Sequence, residues 1–195
     1  MDFKSLITEV KNFPITGVDF KDISPLLASP QFENVIIEMG QLVEIPDFWV
    51  GIESRGFIFA SALSMKFGGG VILCRKAGKL PGTVVSETYN TEYSKDSLSL
   101  NIGSGRVVIV DDVLATGGTL HTVNSLCDRA GYDVQANLVL IDLKYVPRND
   151  VLLKDPLPIF TSKTRLSRPA AIFLDKIEDV IRGIDSTVPT ISRIE

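Results

Sequence analysis

Histidine is nearly missing from this 195-residue chain, His121 being the only one. A site built on two or three imidazoles, such as a zincin or a histidine metal centre, is thereby excluded. Cysteine is almost as scarce. Cys74 and Cys127 are too few for a four-thiolate zinc site, and they read as small buried hydrophobes in a reducing compartment. Residues 1–15 interleave charged and apolar side chains where a signal peptide has a basic start and an apolar stretch, so they do not read as a leader. Apolar residues make up 45% of the chain, yet no run approaches the roughly 18 that a membrane span needs. An excess of positive charge is absent too: 20 Lys and Arg against 24 Asp and Glu leave a net charge of −4, which gives a nucleic-acid backbone no general attraction. The expectation is a one-domain cytoplasmic protein with neither membrane nor nucleic acid as partner.

Phe3, Leu6, Ile7 and Val10 fall at i, i+3, i+4 and i+7 and predict a short amphipathic helix that ends at Pro14 and Gly17. Phe32, Val35, Ile36, Met39 and Val43 predict a second helix between Pro30 and Pro46. The pattern then alternates: strand Phe48–Glu53 with Trp49 in the core, helix Gly56–Phe67, strand Val71–Lys76. A second unit follows, with a buried strand over Arg106–Asp112, a helix over Gly118–Ala130 closed by Gly131 and carrying His121 on its surface, and a strand over Val134–Leu143. Two β-α-β units predict an α/β fold, a twisted and mainly parallel sheet flanked by helices. Residues 77–101, polar and rich in Thr, Ser, Tyr and Glu, read as a mobile excursion with some strand character. Val151–Leu153 and Leu157–Phe160 read as edge strands, and Ser167-Arg168-Pro169 as the opening of a last helix bearing Ile172, Phe173, Ile177, Val180 and Ile181.

The stretch Val107–Thr119 carries the chemistry. A buried strand finishes in Asp111 and Asp112, and the small residues Ala115-Thr116-Gly117-Gly118-Thr119 lead into a helix. Ligands of open α/β sheets lie at the carboxyl ends of the strands. The loop has no lysine, so it is not a Walker A loop, but its backbone N–H groups can close on an anion at the helix N-terminus. Two adjacent carboxylates need donors in front of them, which ribose hydroxyls or a hydrated Mg²⁺ would supply. Together the two features describe a ribose 5-phosphate site.

These thirteen residues resemble the phosphoribosyl pyrophosphate (PRPP) signature of the type I phosphoribosyltransferases. Phe20-Lys21-Asp22-Ile23-Ser24-Pro25-Leu26-Leu27, Glu53-Ser54-Arg55-Gly56-Phe57-Ile58-Phe59, Arg75-Lys76-Ala77-Gly78-Lys79-Leu80-Pro81-Gly82 and Tyr89-Asn90-Thr91-Glu92-Tyr93 narrow the likeness to the adenine phosphoribosyltransferases, over roughly residues 10–143. The resemblance implies that family's fold, with a hood segment at 1–30, a flexible lid loop at 77–96 and a divergent C-terminal segment at 144–195. It also implies adenine and PRPP as substrates, AMP and pyrophosphate as products, and a homodimer. Mg²⁺ would be held mainly through PRPP, with Asp111 or Asp112 joining through water.

Roles follow by the same resemblance. Asp111 and Asp112 hold the ribose; Ala115, Thr116, Gly117, Gly118 and Thr119 hold the 5-phosphate. Ser54 belongs to the pyrophosphate loop, where relatives often have a non-proline cis peptide, and Arg55 offsets charge on the leaving group. Arg75 and Lys79 approach the pyrophosphate, from this chain or from the neighbouring subunit. Glu92 reaches the purine to assist proton transfer, with Tyr93 and Tyr89 closing the lid and Gly78 and Gly82 as hinges. Phe20 stacks on the base while the backbone of Asp19 and Lys21 reads its edge. Lys21 stands where the family usually has arginine, a flexible point charge in place of a planar fork. The rivals are a type I enzyme for a 6-oxopurine or orotate, and a PRPP-sensing regulator of the same fold. The first has weight because residues 144–195 resemble the family poorly. The second is disfavoured by the acidic charge balance and by the lid glutamate.

Overall fold

The computed structural model describes residues 3–13, 16, 18–90, 95–148 and 156–162. Its centre is a seven-stranded sheet in the order β5-β6-β4-β3-β7-β8-β9, formed by Val84–Asn90, Lys95–Asn101, Gly70–Lys76, Phe48–Ile52, Gly105–Leu114, Tyr132–Leu143 and Pro156–Ser162. From β4 to β9 every neighbouring pair is parallel, while β6 runs antiparallel to β4 and to β5. Helices α2 (Phe32–Gly40) and α3 (Gly56–Phe67) cover one face, and α4 (Gly118–Ala130) covers the other.

Strand β7 shows why the sheet lies at the centre. Val108 and Val110 enter one core with Trp49, Phe59 and Leu63, whereas Val107 and Ile109 enter the opposite core with Val123, Leu126 and Cys127; all are fully buried. A strand apolar on both faces is stable only between two helical layers. The expected bounds of α3 and α4 are met at both ends. Gly131 follows α4 at φ 100°, the left-handed cap that glycine adopts without a Cβ penalty. Trp49 is core, and both cysteines are buried and form no disulfide.

The N-terminus departs from its periodicity. In place of one amphipathic helix there is a 3-10 turn over Phe3–Leu6 and then strand β1, Thr8–Val10, which pairs antiparallel with β2, Phe20–Asp22. The β-branched Ile7, Thr8 and Val10 suit a strand, and pairing with β2 outweighs an apolar stripe too short to fix the period. This ribbon lies over the carboxyl edge of the main sheet. A one-turn helix α1, Ser24–Leu27, follows, with the Asp22 carboxylate accepting from the Ser24 N–H at 2.9 Å. Helix α2 stops at Gly40, so Val43 packs from the next turn.

Within the 77–101 excursion β5 and β6 pair antiparallel over seven residues each, and β6 extends the main sheet. Of the two expected late strands, β9 forms next to β8; Val151–Leu153 and the helix expected after Ser167 lie outside the described residues. Among the described residues no helix is long and apolar enough to cross a membrane.

Candidate active site

The chain leaves β3 toward β4 on one side, and β7 leads on to β8 and β9 on the other. The sheet order therefore reverses between β3 and β7, and a crevice opens at their carboxyl ends. Glu53-Ser54-Arg55 ends β3 there, and Asp111-Asp112 lies within the carboxyl half of β7. The Glu53–Ser54 peptide bond is cis, as in the family resembled. Gly56, the first residue of α3, passes so near β7 that a Cβ would stand 2.6 Å from the Val110 carbonyl oxygen and 3.4 Å from Asp111 Oδ1. Only glycine brings the Ser54-Arg55 turn this close to the acid pair.

The resulting cleft measures about 340 Å³ and is lined by Ser54, Arg55, Asp111, Asp112 and Thr119, together with Glu53 and Lys76. Asp112 is buried; Asp111 keeps some surface, although protein crowds its carboxylate. Burial first, and then the Asp112 charge, push Asp111 well above the usual carboxylate range. Burial pushes Asp112 up as well, against the opposing pull of Arg55. Arg55 Nη2 stands 2.8 Å from Asp112 Oδ2, but not along a hydrogen-bonding direction, so that oxygen is a buried acceptor without a donor. Such an acid pair is poised for a ligand rich in hydroxyls or for a hydrated cation.

Arg55 is also the bridge to a second cleft of about 410 Å³, apolar and formed by Val10, Phe13, Phe20, Ile23 and Leu27 beneath the β1–β2 ribbon. Its guanidinium carbon lies 5.0 Å from the centroid of the Phe20 ring, and Nη1 donates to the Lys21 carbonyl at 3.3 Å. Phe13 meets Phe20 edge-on, ring centroids 5.2 Å apart. Phe20 thus borders this apolar slot, and Asp19 precedes it, half-buried. The Lys21 ammonium is buried and pairs with the Glu9 carboxylate, turned from the slot to the neighbouring strand.

In the 115–119 loop, Gly117 caps α4 at φ 84° with no side-chain hydrogen bond, which leaves the first N–H groups of a thirteen-residue helix for an outside acceptor. Thr119 reaches the cleft from the first turn; Ala115, Thr116 and Gly118 flank the cap. Arg75 and Lys79 do not line the cleft. Arg75 is paired with Glu53 at 3.4 Å and donates to the Lys79 carbonyl, and Lys79 is exposed. Lys76 takes the lining position instead. Glu92 and Tyr93 lie outside the described residues, as does the side chain of Tyr89.

Sequence reasoning assigned no task to Glu53, Lys76, Phe13 or Glu9. Glu53 accepts from the Lys76 N–H at 2.8 Å, which with Arg75 holds its carboxyl below the usual range despite partial burial. The signal for Glu53 was its place at a strand's carboxyl end; for the others there was none, since each acts through a partner distant in sequence. Among the described residues no cluster of three or more His, Cys, Asp or Glu forms a metal cage.

Residues 26–142 match the model of the phosphoribosyl transferase domain family. The chain is 43% identical over 150 residues to an adenine phosphoribosyltransferase of Bdellovibrio bacteriovorus, a match spanning 75% of this chain and 90% of that protein. Among solved structures, the adenine phosphoribosyltransferase of Thermoanaerobacter pseudethanolicus superposes with a TM-score of 0.74 at 35% identity, covering 82% of this chain and 98% of that one. The Giardia lamblia enzyme, complexed with 9-deazaadenine, gives a TM-score of 0.77 at 31% identity, over 84% and 97% of the two chains. A family match over residues 26–142 and relatives of this identity and coverage show that the chain belongs to the phosphoribosyltransferase family, among the adenine phosphoribosyltransferases.

Proposed function

We propose that the protein transfers the 5-phosphoribosyl group of PRPP to adenine, yielding AMP and pyrophosphate as a purine salvage step in the cytoplasm. The observation that carries this reading is the placement of Asp111 and Asp112 between the uncapped start of α4 and the Ser54-Arg55 turn. The 5-phosphate accepts N–H groups of residues 115–119. The ribose 2′ and 3′ hydroxyls donate to the two carboxylates. Pyrophosphate then faces Ser54 and Arg55, with Lys76 adding positive charge from the cleft wall; Arg75 and Lys79, outside this cleft, fit a contribution to the pyrophosphate of a neighbouring copy. As the bond to pyrophosphate stretches, the ribose becomes oxocarbenium-like, and the carboxylates beneath it stabilise that charge while Arg55 stabilises the leaving group.

Mg²⁺, when bound with PRPP, neutralises charge on the pyrophosphate; the unpartnered Asp112 oxygen and Asp111 fit a hydrated cation held chiefly by the substrate. Adenine enters the slot beside Phe20, its edge read by the backbone of Asp19 and Lys21. Glu92 assists proton transfer at the base, and Tyr93 closes the β5–β6 lid over a centre that water would hydrolyse. A homodimer fits the apolar surface of α3 and β4: Ile58, Met65, Val71 and Leu73 are 41%, 87%, 37% and 39% exposed. Val71 and Leu73 pair with Trp49 and Gly51 and so lie on the sheet face that α3 covers.

The test is a panel of PRPP and Mg²⁺ with adenine, hypoxanthine, guanine, xanthine or orotate, following pyrophosphate release. Adenine alone is expected to react. Turnover of a 6-oxopurine or orotate instead would reassign the base, and no turnover with any base, accompanied by tight nucleic-acid binding at about 150 mM salt, would make the protein a regulator.

A further inference from the structure

We propose that Glu9 is a positioning residue for the base slot, acting through Lys21; this rests on the reading of the Phe20 cleft as the base site. The β1–β2 ribbon consists of three residue pairs and forms a sheet separate from the seven-stranded one. So short a two-stranded ribbon is marginal alone and depends on cross-strand side-chain pairs. Glu9 stands directly opposite Lys21 in this register, and their side chains form a hydrogen-bonded ion pair with Lys21 8% and Glu9 28% exposed. A lysine buried to this degree needs its counter-charge, because an unpaired buried ammonium costs more than the pair gains.

Alternation along the strands puts the next pair, Val10 and Phe20, on the opposite face of the ribbon, where both line the apolar cleft. Glu9 lines neither of the two clefts described, so it does not touch the substrates placed there. Its effect passes through one residue. Lys21 carries the carbonyl that holds Arg55 and follows Phe20, whose ring lies under the same guanidinium. The ion pair behind the ribbon therefore fixes the distance between Phe20 and Arg55 in front of it, and with it the width of the slot. Lys21 is also the position where this chain departs from the arginine usual in the family, and the carboxylate opposite gives its ammonium a structural partner.

The experiment measures kcat and the two KM values, for adenine and for PRPP, in the full-length wild type, Glu9→Gln, Lys21→Met, the double variant and Lys21→Arg. Glu9→Gln is expected to raise the adenine KM about tenfold, the size of one lost charge-assisted contact, with kcat and the PRPP KM within about twofold. Lys21→Met should do the same, the double variant no more than either single one, and Lys21→Arg, which keeps the pair, should raise the adenine KM less than Lys21→Met does. Melting curves on the same proteins separate positioning from stability. A lowered Tm with an unmoved adenine KM would overturn the inference, and so would an equal rise in both KM values. If the wild type turns over no adenine, the functional reading falls and this inference with it; if the wild type is active and Glu9→Gln leaves its adenine KM in place, this inference falls alone.

Discussion

Arg55 stands 2.8 Å from Asp112 and pairs with it by charge without a directed hydrogen bond. The same guanidinium bonds the Lys21 carbonyl and lies over Phe20, so one side chain spans the acid-pair cleft and the apolar cleft. Lysine has the charge but not the fork, and it can meet only one of these three neighbours. Arg55→Lys is accordingly expected to lower kcat/KM about 10²-fold or more, the usual cost of one lost electrostatic contact to a transition state, with little change in Tm. Steady-state kinetics beside a melting curve checks this. A variant within about twofold of wild type would show that the bridge is not used.

The acid pair predicts a conflict between stability and activity. Asp111 is pushed up by burial and by Asp112, so it gives up its proton less readily folded than unfolded. For a carboxyl raised in this way the native state binds more protons in the window above the unfolded value near 3.9, and its stability falls as pH rises through that window. Asp111→Asn removes the buried charge. It should melt higher than wild type at pH 7, with the difference shrinking toward pH 3, while kcat/KM collapses. A lower Tm at pH 7 would mean that the carboxylate is already satisfied by protein donors.

Much of this site was legible because it is contiguous. Asp111, Asp112 and the loop up to Thr119 follow one another on a strand whose apolar run left its depth in no doubt, and Gly131 marked the end of α4. Ser54 and Arg55 were legible as a motif, not as geometry. The contact with Asp112 spans 57 positions, and no local pattern encodes it. The N-terminal ribbon was misread for a related reason: Phe3, Leu6, Ile7 and Val10 fit a helical stripe over eight residues, and only pairing with Phe20–Asp22 reveals the strand. Glu53 was passed over since its partners, Arg75 and the Lys76 N–H, come from the neighbouring strand.

The exposed apolar surface leads to a prediction about assembly. Ile58, Met65, Val71 and Leu73 belong to the layer of α3 and β4, and a second copy of the chain would remove them from water. Sedimentation equilibrium should give a dimer. Leu73→Asp, a change at a position already 39% exposed in the single chain, should give a monomer that still melts cooperatively. A wild type that sediments as a monomer at about 100 μM would leave this surface to another partner, since obligate dimers are far tighter than that.

Gly56 offers the sharpest test of how closely β3 and β7 must approach. At the first position of a helix, exchanging glycine for alanine ordinarily helps, by up to about 1 kcal/mol from backbone entropy and helix propensity. Here the added Cβ would lie 2.6 Å from the Val110 carbonyl oxygen, part of the central strand β7, which is buried on both faces and cannot move aside. The steric term should win, so Gly56→Ala is expected to lose about 1–3 kcal/mol, as overpacked sites do. Relief then comes from the start of α3 backing away, carrying Ser54 and Arg55 from Asp111 and Asp112. KM for PRPP should therefore rise, since the ribose and pyrophosphate contacts straddle this gap, and KM for adenine should rise with it, since Arg55 also lines the Phe20 slot. Calorimetry and two substrate titrations suffice, and a Gly56→Ala enzyme that melts higher and keeps its PRPP KM would refute the close approach.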